Sequence, residues 1–295
     1  MADAFPPFDR SSLTTSADAA LARRLESFAA RDVAGLAEAA ATLFPETGAR
    51  FIEVAGGIAG YLGTRSPANG AVGLGFDGAV THEHVASIER FFLDRGEEPV
   101  VSVCPLAHDS LAAVLSERGW TAGTCENVLV RTIDPRATFE SRTTGVEVRE
   151  ATGEADVDAW ALLAAHGFAA PGGPTEAELR LSKAATRRED AQFFFGLVDG
   201  EYAGTGQLEI DGDMAWLSGD ATLPRFRRRG VQSSLQRARL EIARQAGCLL
   251  AVTESVPGSP SQRNMERAGF RVAYTRVDAW HPVSRSASPP RGAAE

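Results

Sequence analysis

The chain repeats one order of predicted secondary structure at an offset of 150 residues. Gly119-Trp120 aligns with Gly269-Phe270 without a gap, and each pair closes a segment with helical periodicity. Each of these helices follows an apolar run typical of a buried strand, and another strand follows it. The two aligned stretches, which we call the first and second copies, share the order strand, loop, helix, strand, helix, strand. The aligned segments are 84–94, 100–103, 110–118 and 127–132 in the first copy, and 234–244, 249–252, 259–268 and 272–280 in the second.

The second copy begins with strands that tight turns connect into hairpins. Asp199-Gly200 and Asp211-Gly212-Asp213 are turn sequences between the alternating segments 193–198, 203–210 and 214–222. A strand at 146–149 and a helix at 156–166 precede them. Hairpins followed by strand-helix-strand predict an α+β fold, in which each copy has a mixed, mostly antiparallel sheet with helices on both faces.

Size and composition set the expected domain organisation. A length of 295 residues suits two domains of ordinary size. We expect domains at 1–140 and 145–283, joined by the polar segment 134–145, and a flexible tail at 284–295 that is rich in Ser, Pro, Ala and Gly.

Charge and cysteine content exclude several classes of protein. The net charge of −9 argues against a surface for nucleic acid or anionic membranes, since phosphate binding needs a basic face. The three widely spaced cysteines, Cys104, Cys125 and Cys248, form neither a disulfide framework nor a metal-binding spacing. The N-terminus has no signal-peptide pattern, and no run approaches 18 apolar residues. We therefore expect a cytoplasmic protein without a metal.

One dense basic cluster, Arg225 to Arg229, stands against this acidic background. Pro224 ends the preceding strand, and the loop 227–232 leads directly into a helix. A helix start presents unpaired N–H groups and the positive end of the helix dipole, while Gly230 lets the backbone approach a ligand closely. The loop therefore predicts a pyrophosphate site. The alternative interpretation, a solvated charged turn, does not account for its place at a helix start.

Two motifs here resemble the GNAT superfamily of N-acetyltransferases. Arg227 and Gly230 match the family signature Arg/Gln-x-x-Gly-x-Gly/Ala, whereas Gln232 stands where the family usually has Gly or Ala. The segment 261–270, Ser261-Gln262-Arg263-Asn264-Met265-Glu266-Arg267-Ala268-Gly269-Phe270, is similar to the family's helix that ends in Gly-Phe. Both motifs lie at the separation that the family shows.

The resemblance covers residues 146–280 and implies a function. It implies an acetyl-CoA-dependent N-acetyltransferase that acts on a primary amine of a small molecule or protein, with acetyl-CoA as the co-substrate. It further implies that backbone N–H groups of Ala221, Thr222 and Leu223 meet the thioester carbonyl. The other residues that the loop and the resemblance assign to the coenzyme are Arg227, Arg228, Arg229, Gly230, Val231, Gln232, Ser233, Ser261 and Asn264.

The sequence offers three carboxylates as candidates for the general base. An alkylamine is protonated at pH 7, so a general base is expected. Strand alternation would put Trp216, Ser218 and Asp220 on one face, which makes Asp220 the first candidate base; Glu254 is the second and Glu209 the third. Each carboxylate could equally be an acceptor-binding or surface group. Met265 stands where many members of the family have a Tyr, and it cannot donate a proton.

The first copy lacks the residues that mark the coenzyme loop. Asp77 aligns with Arg227, Val80 with Gly230, and Leu111 with Ser261. We therefore expect the first copy to be a degenerate GNAT-like domain without coenzyme, which acts as a scaffold or a wall of the acceptor site. The rival hypothesis is a non-catalytic module that binds acyl-CoA or a partner, in which the missing Tyr reflects lost catalysis.

Overall fold

The computed structural model describes residues 17–139, 145–188 and 190–282. The chain divides into two compact units, and the statements that follow concern their described residues. Unit 1 comprises Met1–Asn127 with Val272–Ala293, and unit 2 comprises Val128–Arg271 with Ala294–Glu295. Unit 1 thus takes the last strand of the second copy. The predicted tail at 284–295 lies outside the described residues, as do residues 140–144 of the expected linker.

The described residues form seven α-helices and eleven strands. None of these helices is long and apolar enough to cross a membrane. The helices are α1 (Ala19–Leu43), α2 (His82–Leu93), α3 (Ser110–Glu117), α4 (Glu154–Phe168), α5 (Glu176–Ala185), α6 (Val231–Gln245) and α7 (Pro260–Arg267). The strands are β1 (Arg50–Val54), β2 (Gly57–Tyr61), β3 (Gly70–Val72), β4 (Val100–Val103), β5 (Thr121–Thr132), β6 (Val146–Glu150), β7 (Ala191–Val198), β8 (Glu201–Asp211), β9 (Met214–Thr222), β10 (Leu250–Ser255) and β11 (Arg271–Trp280).

The repeated order of elements is confirmed. It runs β3, α2, β4, α3, β5 in the first copy and β9, α6, β10, α7, β11 in the second. The helices α1 and α5 and the strands β1 and β2 were not predicted. The turn of each Gly-aromatic pair has a glycine in the left-handed region, with φ of 78° at Gly119 and 88° at Gly269.

Unit 1 has a mixed sheet with α1 packed on β2. The strands β1, β2 and β3 pair antiparallel in sequence order, β3 pairs parallel with β4, and β4 pairs antiparallel with β11. The buried carboxylate of Glu26 on α1 accepts hydrogen bonds from the Tyr274 hydroxyl and from Arg276 Nε, each at 2.7 Å. These two residues lie on β11, so a buried ionic contact fixes α1 to that strand.

Unit 2 also has a mixed, mostly antiparallel sheet, in the strand order β10, β9, β8, β7, β6. Only β9 and β10 are parallel among these pairs. The helices α4 and α6 both pack on β8 and β9. A Cβ on Gly206 would meet Arg239 of α6, whereas the neighbouring Gln207 Cβ lies on the side of Trp160 of α4. Because strand neighbours point to opposite faces, α4 and α6 cover opposite faces of the sheet.

A β-bulge interrupts β9. Ser218 pairs with Gln207 of β8, but the next recorded pair is Ala221 with Thr205, so Gly219 and Asp220 together lie opposite the single residue Gly206. Gly219 has a φ of 63°, the left-handed conformation that such bulges favour.

The bulge corrects the predicted alternation of β9. Trp216 and Ser218 face α4, but the extra residue turns Asp220 to the other face, where its carboxylate meets Arg239. The prediction that all three share a face was wrong because strict period 2 holds only in a regular strand.

We expect Gly219→Ala to destabilise unit 2 more than Gly212→Ala does. Both glycines have positive φ, which costs an alanine about 1–2 kcal/mol. An added Cβ at Gly219 would lie 2.9 Å from the Trp160 ring, whereas at Gly212 nothing lies within 4 Å. Overpacking should add roughly 1–3 kcal/mol at Gly219 only. Urea unfolding of the two variants measures the difference, and equal losses would contradict the packing of Trp160 against the bulge.

Candidate coenzyme and catalytic site

The loop after β9 brings an exposed backbone to the start of α6. A single 3₁₀ turn, Pro224–Phe226, is anchored by the buried Phe226 ring. Arg228 and Gly230 then adopt left-handed conformations, with φ of 62° and 83°. Gly230 is the N-cap residue of α6, and no side chain of the described residues caps this helix start. The first N–H groups of a 15-residue helix are therefore directed at any anion that binds there.

The loop arginines divide into two groups. Arg225 and Arg229 already pair with carboxylates, Glu201 at 2.8 Å and Asp199 at 2.9 Å. Arg227 instead points its Nε at the Thr222 carbonyl, at 3.5 Å. Arg228 is exposed and makes no ion pair with a described residue. Arg227 and Arg228 thus carry the positive charge that an anion at this helix start could use.

Gln232 connects the loop with α7. Its side-chain Oε1 accepts a hydrogen bond from Asn264 Nδ2 at 2.5 Å, and its Nε2 lies 3.5 Å from Ser261 Oγ. The structure therefore brings together three residues that the sequence assigned to the coenzyme. Gln232, which stands where the family usually has Gly or Ala, lies in the first turn of α6, and its side chain is directed towards α7.

The strands β9 and β10 pair over only part of their length. Their parallel ladder runs from Met214–Leu250 to Trp216–Val252, and β9 continues to Thr222. The Leu223 N–H donates to the Ala203 carbonyl at 2.9 Å. Because alternate N–H groups of a strand point to opposite edges, the Thr222 N–H points away from β8, towards the side of β10. Of the three predicted carbonyl-binding amides, those of Ala221 and Leu223 therefore point to β8, and that of Thr222 lies outside the recorded ladder with β10.

The carboxylate of Asp220 forms a buried ion pair. Its side chain is 9% exposed, and its Oδ1 accepts a hydrogen bond from Nη2 of Arg239, which is 0% exposed. Its Oδ2 is buried and has no hydrogen-bond partner among the described residues. Burial raises the pKa of the Asp220 carboxyl, and the adjacent guanidinium opposes that shift.

The other two candidate bases lie on the opposite face of the sheet. Val252 pairs with Trp216, so Glu254, two residues further on β10, shares the face of Trp216. Glu254 is half-buried. Glu209 also pairs with Trp216, from β8. The structure thus separates Glu254 and Glu209 from Asp220.

Glu209 is fully engaged in a buried network. Its carboxylate accepts hydrogen bonds from Arg188 Nη2 and Gln207 Nε2, each at 2.6 Å. Burial raises the pKa of this carboxyl, which the Arg188 guanidinium opposes. Arg188 follows α5 and also pairs with Asp190 at 2.9 Å.

Met265, at the position of the expected Tyr, is buried. Its Sδ lies 2.9 Å from Gln236 Nε2 of α6. A thioether in this environment has no proton to give a leaving thiolate.

In unit 1, side chains accept hydrogen bonds from backbone N–H groups at the corresponding helix start, that of α2. The Val80 N–H donates to Ser110 Oγ at 2.7 Å, and the Thr81 hydroxyl caps α2 by accepting from the His84 N–H at 3.3 Å. Asp77, the counterpart of Arg227, is held by Arg23 in an ion pair. At α2 the N–H groups of Val80, Thr81 and His84 therefore have side-chain acceptors, whereas no side chain of the described residues caps α6.

The parallel pairing of the strand that precedes the loop also differs between the two copies. Ala71, the counterpart of Ala221, pairs in parallel with Val101 of β4, whereas Ala221 lies outside the recorded ladder of β9 with β10. Cys104 takes the position of Glu254, is buried, and has its thiol pKa raised by that burial to about 12.

Comparison with known proteins identifies the family of this region. Residues 152–270 match the sequence model of the Acetyltransferase (GNAT) family. This part of the chain, which contains the loop and α7, therefore belongs to the GNAT acetyltransferases. No curated protein matches the chain in sequence.

Solved structures extend the fold comparison over both copies. A GCN5-related N-acetyltransferase from Kribbella flavida matches with a TM-score of 0.59 and 18% identity, over 84% of this chain and 95% of its own. A GCN5-related N-acetyltransferase from Sphaerobacter thermophilus matches with 0.55 and 15%, over 93% and 96%. A tandem GNAT protein from the clavulanic acid biosynthesis pathway matches with 0.57 and 14%, over 96% and 99%. The fold is that of tandem GNAT domains, as predicted.

We expect Arg228→Met to weaken acetyl-CoA binding more than Arg225→Met does. Arg228 has no carboxylate partner among the described residues, whereas Arg225 is paired with Glu201. Loss of a charge-assisted contact to pyrophosphate should raise Kd roughly tenfold. Isothermal titration calorimetry measures both variants, and equal Kd values would show that the loop acts only through its overall charge.

Proposed function

We propose that unit 2 transfers the acetyl group of acetyl-CoA to a primary amine of a small molecule or protein. The observation that carries this proposal is the pairing of an uncapped, arginine-flanked helix start with the Thr222 N–H at the end of a bulged strand. The former suits pyrophosphate, and the latter suits a thioester oxygen. Attack by the amine gives a tetrahedral oxyanion that this N–H would stabilise, and its collapse expels the CoA thiolate.

We further propose Glu254 as the general base in place of Asp220. If Asp220 accepted a proton from the amine, the fully buried Arg239 would lose its counter-charge, and an unpaired buried charge is costly. Glu254 is half-buried and lies on β10, the strand towards which the Thr222 N–H points. Glu209 is held by Arg188 and Gln207 in the same way that Asp220 is held by Arg239.

We expect Glu254→Gln to lower kcat/KM roughly a hundredfold, the scale of general-base catalysis. Activity that depends on a carboxylate base falls at low pH as that base becomes protonated, and this acidic limb of the pH–rate profile should disappear in Glu254→Gln. Asp220→Asn should keep the limb, even where its rate is lower. Release of free thiol from acetyl-CoA over a panel of amines provides the rates. Loss of the limb in Asp220→Asn alone would return the role to Asp220.

The second candidate function is a non-catalytic acyl-CoA-binding module, which the buried Met265 favours. A thiol pKa of about 8.5 lets the thiolate leave without a general acid, so Met265 does not exclude catalysis. Coenzyme binding without thiol release for any amine of the panel would support the module.

We also propose that unit 1 binds no coenzyme, so that the chain binds one acetyl-CoA. Calorimetry on the full chain should give a stoichiometry of one. Gly230→Asp, which puts a carboxylate at the start of α6, should abolish all of this binding. Two molecules per chain, or residual stoichiometric binding in Gly230→Asp, would place a second coenzyme site in unit 1.

A further inference from the structure

We infer that Arg239 is a positioning residue that fixes the register of β9 across its bulge and thereby directs the Thr222 N–H out of the ladder with β8. The inference deepens the proposed function, on which its catalytic consequence rests. The register itself can be measured without coenzyme or acceptor.

Arg239 bonds to both strands at the bulge. Its Nη1 donates to the Gln207 carbonyl of β8 at 2.8 Å and to the Ser218 carbonyl of β9 at 3.0 Å. Its Nη2 donates to the carboxylate of Asp220, inside the bulge. Its Nε donates to the Leu235 carbonyl of its own helix at 3.1 Å. A single planar guanidinium thus connects α6 with the last regular pair of the ladder and with the extra residue that follows.

Two glycines make room for this arrangement. Gly206 lies opposite the bulge, and a Cβ there would be 2.7 Å from Arg239 Cζ. Gly219 provides the left-handed turn of the bulge itself. The guanidinium therefore occupies a space that any side chain at Gly206 would fill.

The register of β9 decides which amide leaves the sheet. With the bulge at Gly219 and Asp220, the Leu223 N–H bonds to Ala203 and the Thr222 N–H points away from β8. A slip of one residue would exchange these directions along the whole end of the strand. Since Asp220 is two residues before Thr222, the contact that holds its carboxylate also holds the direction of the Thr222 amide.

A structural requirement alone does not explain a buried ion pair at this place. Well-packed apolar residues of similar volume commonly give equal or greater stability than a buried pair, whereas removal of one partner is strongly destabilising. What an apolar pair cannot supply is the set of directional bonds to Gln207, Ser218 and Asp220. The expected role of Arg239 is therefore to specify one register.

The test replaces both partners, in the double variant Arg239→Met with Asp220→Leu, so that no charge is left unpaired. Amide hydrogen exchange by NMR reports the register. In the wild type, Ala221 and Leu223 should be protected and Thr222 should exchange faster. In the double variant this alternation should be lost, with cooperative unfolding retained. Arg244→Met, which removes the partly exposed pair with Glu241 on the same helix, is the matched control and should keep the alternation.

The second readout is the infrared C=O stretch of bound acetyl-CoA. It should lie below the solution value in the wild type, because an N–H polarises the carbonyl, and return towards it in the double variant. In the double variant kcat should fall roughly a hundredfold, the scale of a lost oxyanion donor. The Kd for acetyl-CoA should stay within about threefold, and the acidic limb of the pH–rate profile should persist. A merely structural pair would change stability and leave the carbonyl frequency unchanged.

Unchanged amide protection in a folded double variant overturns the inference, whether or not the protein binds acetyl-CoA. Lost alternation in a protein that never binds acetyl-CoA supports the register role and rejects the proposed function. If the double variant does not fold, Arg239→Lys serves instead. The lysine keeps the positive charge, but its single ammonium cannot reproduce the planar fork, so partial loss of alternation is expected. If Arg239→Lys keeps the wild-type alternation of amide protection unchanged, the need for a guanidinium is contradicted.

Discussion

The candidate site of unit 2 depends on one buried contact, the ion pair of Arg239 with Asp220 at the bulge of β9. The bulge reverses the alternation of the strand, and the guanidinium bonds to the residues before and within it. Everything after this point, including the Thr222 amide and the turn that leads to Gly230, begins from the direction that the bulge imposes. Burial of a charged pair costs desolvation free energy. The hydrogen bonds of Arg239 to β8 and β9 offset that cost, and they depend on the geometry of the bulge.

The difference between the two copies follows from how each satisfies its backbone donors. The start of α2 uses Ser110 and Thr81 as acceptors for the N–H groups of Val80 and His84. The start of α6 has a glycine cap and two arginines without carboxylate partners among the described residues. Helices of the same fold can therefore differ in anion binding through a few capping residues, without any change in the order of elements.

Local signals made much of this predictable from the sequence. The loop, the helix starts and the Gly-aromatic turns depend on residues close in the chain, and the structure has them where the sequence predicted them. The face of Asp220 was not predictable, because a bulge becomes visible only when β8 and β9 are in register. Gly219 was the available signal, since a glycine inside a strand often marks a bulge. The long helix α1, whose buried side is largely alanine, was not predicted.

Gln232 illustrates how a departure from a family motif can be compensated within the fold. A Gly or Ala at this position leaves the first turn of α6 bare, whereas the glutamine side chain bonds to Asn264 of α7. One turn later, Gln236 makes a second contact with α7, to Met265. The two glutamines thus tie the loop-bearing helix to the helix that carries Ser261. Since helical residues four apart share one face, this link requires only that both face α7, and it leaves the N–H groups at the start of α6 open.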